Sequence, residues 1–186
     1  LYVATALQNK ITVFAGSWID ESGPDVDASP IKTLTGLDGV AGMAVDSNSN
    51  LYALTGDSIR IFASGWTDGD SVPSRVITGG STGLVHVQGL AVDANANMYV
   101  PSFDPDGEFY LSKLLKFASD ADGDAAPTAV VEGEASGIET PTAAAFDSND
   151  DLYVSNGTPS VTSYPQGFFS AQAVDFSAAP VVVVAD

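Results

Sequence analysis

A bulky apolar residue followed by tyrosine opens four short runs, Leu1–Ala4, Leu51–Leu54, Met98–Pro101 and Leu152–Ser155. Self-similarity at intervals of roughly 50 residues constrains a chain more than any single motif, because each copy must be one supersecondary unit that buries its apolar face against the next. The copies agree beyond that dipeptide. Each is followed by a second apolar run, at Ile11–Phe14, Ile59–Phe62, Leu115–Phe117 and Val161–Tyr164. A third begins with proline, at Pro30–Leu34, Pro73–Ile77, Pro127–Val131 and Pro180–Val184.

A fourth element, Gly42–Asp46, Gly89–Asp93 and Ala143–Asp147, stands four residues before three of the tyrosine runs and is small and apolar. Runs this short, with largely alternating apolar residues, read as strands. Asn- and Asp-rich links, 47–50, 94–97 and 148–151, tolerate the positive φ of tight hairpins. Proline at the start of the third run removes no ladder donor from an edge strand. The predicted unit is therefore inner, second, third and proline-led outer strand, and the predicted fold is an all-β β-propeller of four-stranded antiparallel blades. One domain over 1–186 is expected, with units at about 1–36, 37–79, 80–133 and 134–186; the first lacks its inner strand. Part of a larger ring or assembly fits this count, and an open blade edge predicts a protein partner, including a second copy of the chain.

The pattern Gly89–Asp93 followed by Asn97, Met98, Tyr99 and Val100 resembles the NHL-type repeat and its relatives, the streptogramin-lyase-like and gluconolactonase-like propellers. The resemblance covers essentially the whole chain and implies the propeller fold; a propeller hosts many unrelated functions. NHL repeats often carry an Asp and an Arg near the second and third strands, and here only Arg60 stands in such a place. A lyase of this kind would need a second His beside His86, and a lactonase would place a metal among inner-strand carboxylates. Asp46, Asp93 and Asp147 end those strands, but they recur in register, as residues capping their own turns do.

Acidic residues outnumber basic ones 24 to 6, for a net charge of −18. Phosphate recognition needs clustered Lys and Arg, so nucleic-acid partners are excluded as a class. No apolar run approaches the ~18 residues of a spanning helix, so no membrane span is expected. The chain has no cysteine and one histidine, which removes disulfides, thiol nucleophiles and Cys- or His-rich metal sites.

Alternation of strand direction sorts the loops onto two rims. The inner-to-second and third-to-outer loops carry most of the acid. The other rim carries His86 and the irregular stretch from Pro101 to Lys113, and is the expected place for a specific site, with His86, Phe103, Tyr110 and Lys113 as binding residues. Asp120, Asp122 and Asp124 alternate as calcium ligands do, around Gly123; the other reading is an acidic turn. Asp104, Asp106 and Glu108 form a similar turn. Ca²⁺ is the one cofactor suggested, and no catalytic set is found. Trp18, Trp66 and Phe168 recur in register, as packing between blades or as a sugar-stacking series. The expected function is a non-catalytic extracellular, cell-surface or virion-associated module for binding or scaffolding, as in a filament or virion appendage. The alternative is a metal-assisted lactonase or lyase with its site completed by further blades.

Overall fold

The computed structural model describes residues 1–16, 29–69, 71–105, 111–133, 136–170 and 182–185. Fifteen strands occur there: β1 (Tyr2–Thr5), β2 (Lys10–Val13), β3 (Lys32–Leu34), β4 (Val40–Val45), β5 (Leu51–Thr55), β6 (Ser58–Phe62), β7 (Arg75–Ile77), β8 (Ala91–Val92), β9 (Met98–Asp104), β10 (Leu111–Phe117), β11 (Ala129–Glu132), β12 (Ala143–Phe146), β13 (Leu152–Ser155), β14 (Ser160–Tyr164) and β15 (Val182–Ala185). They form four antiparallel sheets in chain order, β1-β2-β3, β4-β5-β6-β7, β8-β9-β10-β11 and β12-β13-β14-β15. Helix is confined to short 3₁₀ turns such as Ala6–Gln8 and Phe168–Ser170. Among the described residues no helix is long and apolar enough to cross a membrane.

The expected strand order within each sheet is found, and among the described residues the first sheet has three strands where the others have four. Proline stands two residues before β3, β7, β11 and β15 in the sequence, and in the first three sheets the residue after it already joins the ladder. The N–H groups of Ile31, Ser74 and Thr128 donate to the carbonyls of Val13, Ile61 and Lys116 at 2.7–2.8 Å. The irregular stretch expected from Pro101 to Lys113 is shorter than that. β9 continues through Asp104 and β10 begins at Leu111, so Pro101–Asp104 pair with Leu111–Leu114 as strand residues.

Among the described residues each core cluster is shared by two consecutive sheets. Ile11, Val13 and Leu34 of the first sheet pack with Leu51, Phe62 and Trp66 of the second. Tyr52, Ile59 and Ile77 of the second pack with Met98, Leu115 and Phe117 of the third. Tyr99, Leu114 and Val131 of the third pack with Leu152, Val154 and Tyr164 of the fourth. The sheets thus stack face to face in sequence, and β4 touches β8 as β8 touches β12.

Small residues let the inner strands approach. A Cβ on Gly89 would lie 2.6 Å from Ala143 Cα and 3.0 Å from Thr142 O. A second device recurs between sheets: Thr35-Gly36-Leu37, Thr82-Gly83-Leu84 and Ser136-Gly137-Ile138. Its glycines hold φ of 70°, 67° and 69°, a region that favours residues without a Cβ. Its apolar members are buried. Gly89→Ala is expected to destabilise the protein by about 1–3 kcal/mol through overpacking against backbone. Gly80→Ala, with nothing within 4 Å of the added carbon, should stay within ~0.5 kcal/mol. Urea denaturation of the two variants checks the difference.

Candidate functional site

Each inner strand ends in an aspartate whose carboxylate organises the turn to the second strand. Asp46 Oδ1 accepts the backbone N–H of Asn48 at 2.9 Å and of Asn50 at 2.8 Å. Its Oδ2 accepts Asn50 Nδ2 at 2.8 Å and the Tyr52 hydroxyl at 3.0 Å. Asp93 repeats this with Asn95, Asn97 and Tyr99 at 2.8–3.1 Å. Asp147 takes the N–H groups of Asn149 and Asp151, while Tyr153 is exposed. The turn-capping role read from their recurrence is the one they occupy. The positive φ falls on Ser49, Ala96 and Asp150, so Asn50 and Asn97 serve as side-chain donors instead of supplying the left-handed residue.

Burial pushes the Asp46 carboxyl up, but hydrogen bonds from Asn50, Tyr52 and Asn48 outweigh it and hold the group below its ordinary 3.8. The N–H groups of Asp151 and Asn149 hold Asp147 down as well. Tyr52 is pushed up to about 12 by burial, with the Asp46 hydrogen bond and charge adding to it. Burial raises Tyr99, helped by the Asp93 charge, and raises Tyr164.

The calcium-like aspartates hold neighbouring sheets together. Asp122 Oδ1 accepts the Val76 N–H of the preceding sheet at 3.0 Å, while Gly123 exchanges backbone hydrogen bonds with Val76 and Thr78. Asp124 accepts the N–H and hydroxyl of Ser81 at 2.7 and 3.0 Å. Asp68 and Gly69 clasp Thr33 and Thr35 in the same way. Asp120 is exposed. Among the described residues no three carboxylates or imidazoles converge as metal ligands.

On the opposite rim His86 is exposed, at φ 44°. The Phe103 N–H donates to Val85 O at 3.2 Å, which sets Phe103 beside the His86 turn. Lys113 is turned to Glu132 on the adjacent strand, 3.0 Å away. Tyr110, Asp106, Glu108 and Trp18 lie outside the described residues. Trp66 is nearly buried among first-sheet residues, in the packing role, and Phe168 packs on Tyr164 with ring centres 4.8 Å apart.

The described concavity lies on the acidic rim, between the third and fourth sheets. It is a cleft of about 490 Å³, within the ~300–1,000 Å³ usual for small ligands. The turn of Asp93, Asn95 and Asn97 forms one wall, and Asp150 with Pro165–Gly167 the other; Tyr99, Lys116, Phe146 and Phe169 lie between them. Tyr99 meets Phe146 and Phe169 edge-on, both at 5.0 Å between ring centres. Lys116 Nζ sits 5.4 Å from the Tyr99 ring centre and 5.8 Å from that of Phe169.

This junction differs from the other two for a physical reason. At the first, Lys32 on the outer strand reaches across to Trp66 O at 2.7 Å. At the second, Arg75 reaches Ala121 O at 2.8 Å. The matching outer-strand residue at the third is Ala129, too short to bridge, and its strand partner is Lys116. The residues paired with Tyr2, Tyr52, Tyr99 and Tyr153 are Val13, Ile61, Lys116 and Ser163. Lys116 is thus a cation where the first two units are aliphatic, and Phe146 stands where the second and third sheets have Val45 and Val92. Departure from the repeat was the sequence signal for this cleft.

No family model and no curated protein matches the chain. Its fold is similar to a crystal structure of a protein of unknown function from Bacteroides caccae, with TM-score 0.57 and 13% identity. The similarity covers 99% of this chain and 57% of that one, so the chain spans little more than half of that protein's length. At this identity the likeness is one of fold alone.

Because folding depresses the Asp46 and Asp147 carboxyls, their contribution to stability is present above about 3.8 and is lost as pH falls through their lower folded values. Asp46→Asn places an amide NH₂ against donors from Asn50 and Tyr52, and should cost about 1–3 kcal/mol at neutral pH while flattening the acid limb. Urea midpoints measured from pH 3 to pH 7 (roughly the span over which carboxylates titrate) check both effects.

Proposed function

We propose that the four sheets are blades of a β-propeller and that the chain works by non-catalytic binding or scaffolding, as an NHL-like module of a secreted, surface or virion-associated assembly. The observation that carries this reading is the saturation of the recurring acids. The carboxylates of Asp46, Asp93, Asp122 and Asp124 each accept two or more protein hydrogen bonds. All four organise turns or junctions, and Asp46 and Asp93, with four donors each, have little capacity left for proton transfer or metal ligation. Face-to-face stacking with adjacent small inner strands supports the propeller.

The partner proposed is protein. In the first sheet β1 pairs with β2 alone among the described strands, and an unpaired strand edge is a template for another chain. A second copy completing that edge is the specific expectation. Native mass spectrometry beside the denatured mass of 19.0 kDa should give a dimer or larger species, and a monomer across micromolar concentrations would count against self-completion. Incubation with Ca²⁺ or Mg²⁺ and simple lactones should yield no hydrolysis. Hydrolysis with stoichiometric metal would replace this reading with the metal-assisted lactonase.

A further inference from the structure

We propose that the cleft between the third and fourth sheets binds a neutral polyhydroxylated ring, a sugar or sugar-like residue. The inference rests on the reading of the chain as a binding module and names the ligand class of a site within it.

Charge narrows the class first. Asp93 and Asp150 flank the cleft and Lys116 lies between them, so the lining carries both signs. The chain as a whole carries −18. An anion meets two carboxylates and a repulsive field, and a cation, though drawn by that field, has to sit beside the Lys116 ammonium. A neutral ligand with hydroxyls meets neither obstacle. Among the described residues Lys116 Nζ has no ion-pair or hydrogen-bond acceptor; its contacts are the rings of Tyr99 and Phe169. A half-buried ammonium held over aromatic faces keeps its N–H donors for an acceptor in the cleft.

Shape and polarity narrow it further. Asn95 and Gln166 offer amides on opposite walls, and Gln166 Nε2 reaches Asp150 Oδ2 at 3.3 Å. Each amide can donate and accept, which matches hydroxyls that do both. Between them Phe146 and Phe169 supply apolar surface. A pyranose ring presents this combination, with equatorial hydroxyls around an apolar face. The cleft also lies at the junction where Ala129 stands in place of the bridging cation of the other two.

Saturation-transfer NMR with methyl glycosides of glucose, galactose, mannose and N-acetylglucosamine, and with glucuronate, tests the proposal. At least one neutral glycoside should receive saturation and bind more tightly than glucuronate. Its affinity should fall about tenfold or more in Lys116→Met and in Gln166→Ala, as loss of a ligand hydrogen bond predicts. Asn48→Ala, which alters the matching turn of the second sheet, should bind as wild type. Thermal melts of each variant show that the fold is retained. Binding to none of the glycosides, preference for glucuronate, or unchanged binding in both cleft variants would overturn the proposal and leave the scaffold reading standing. Breakdown of a bound glycoside in the same spectra would instead overturn the non-catalytic reading and keep the ligand class.

Discussion

Burial between consecutive sheets is the interaction on which the rest of this structure depends. A three- or four-stranded sheet cannot cover its own apolar face, and here the cores lie at three junctions, around Leu34 and Phe62, Ile77 and Phe117, and Val131 and Tyr164. Stability in such an array is approximately a sum of units and nearest-neighbour interfaces. That explains why residues at the junctions recur more faithfully than those in the outer loops. It also explains the glycines: Gly89 sits where the backbone of the following segment leaves no room for a Cβ, and Gly42 where a Cβ would fit only tightly.

The excess of aspartate follows from the same arrangement. A turn that leaves each inner strand, and a loop that must grip the preceding sheet, both expose backbone N–H groups without ladder partners. A carboxylate accepts several of these at once, and charge-assisted hydrogen bonds are among the stronger ones available. Asp46 and Asp93 do this within a turn, whereas Asp68 and Asp122 do it across a junction. Much of the negative charge is therefore part of the framework. Where the repeat changes, at Lys116 and Phe146, the chain has a cleft.

Strand order, the three-stranded first sheet and the capping aspartates were legible in the sequence because each is a local pattern repeated in register. The extent of β9 and β10 was not, since Pro101 and Asp104 are ordinarily loop residues and cross-strand pairing overrides that preference here. The grip of Asp122 on Val76 spans 46 positions, and nothing local separates such an aspartate from a calcium ligand or a free turn. The Thr/Ser-Gly-Leu/Ile device was visible as a recurrence but lay between the strands that drew attention. The cleft was hidden for a different reason: a search for agreement among copies passes over the residues that break it. His86, Phe103 and Lys113 stand on the opposite rim from this cleft, and Lys113 is already paired with Glu132.

Amide hydrogen exchange in wild type and Asp122→Ala tests most directly whether these loops bind one sheet to the next. If they do, losing one carboxylate speeds exchange at Val76, Thr78 and Gly123 together, across two sheets, while the Asp46 turn keeps its protection. Faster exchange confined to residues 120–124, with Val76 and Thr78 unchanged, would contradict the claim that the junction holds the sheets in place.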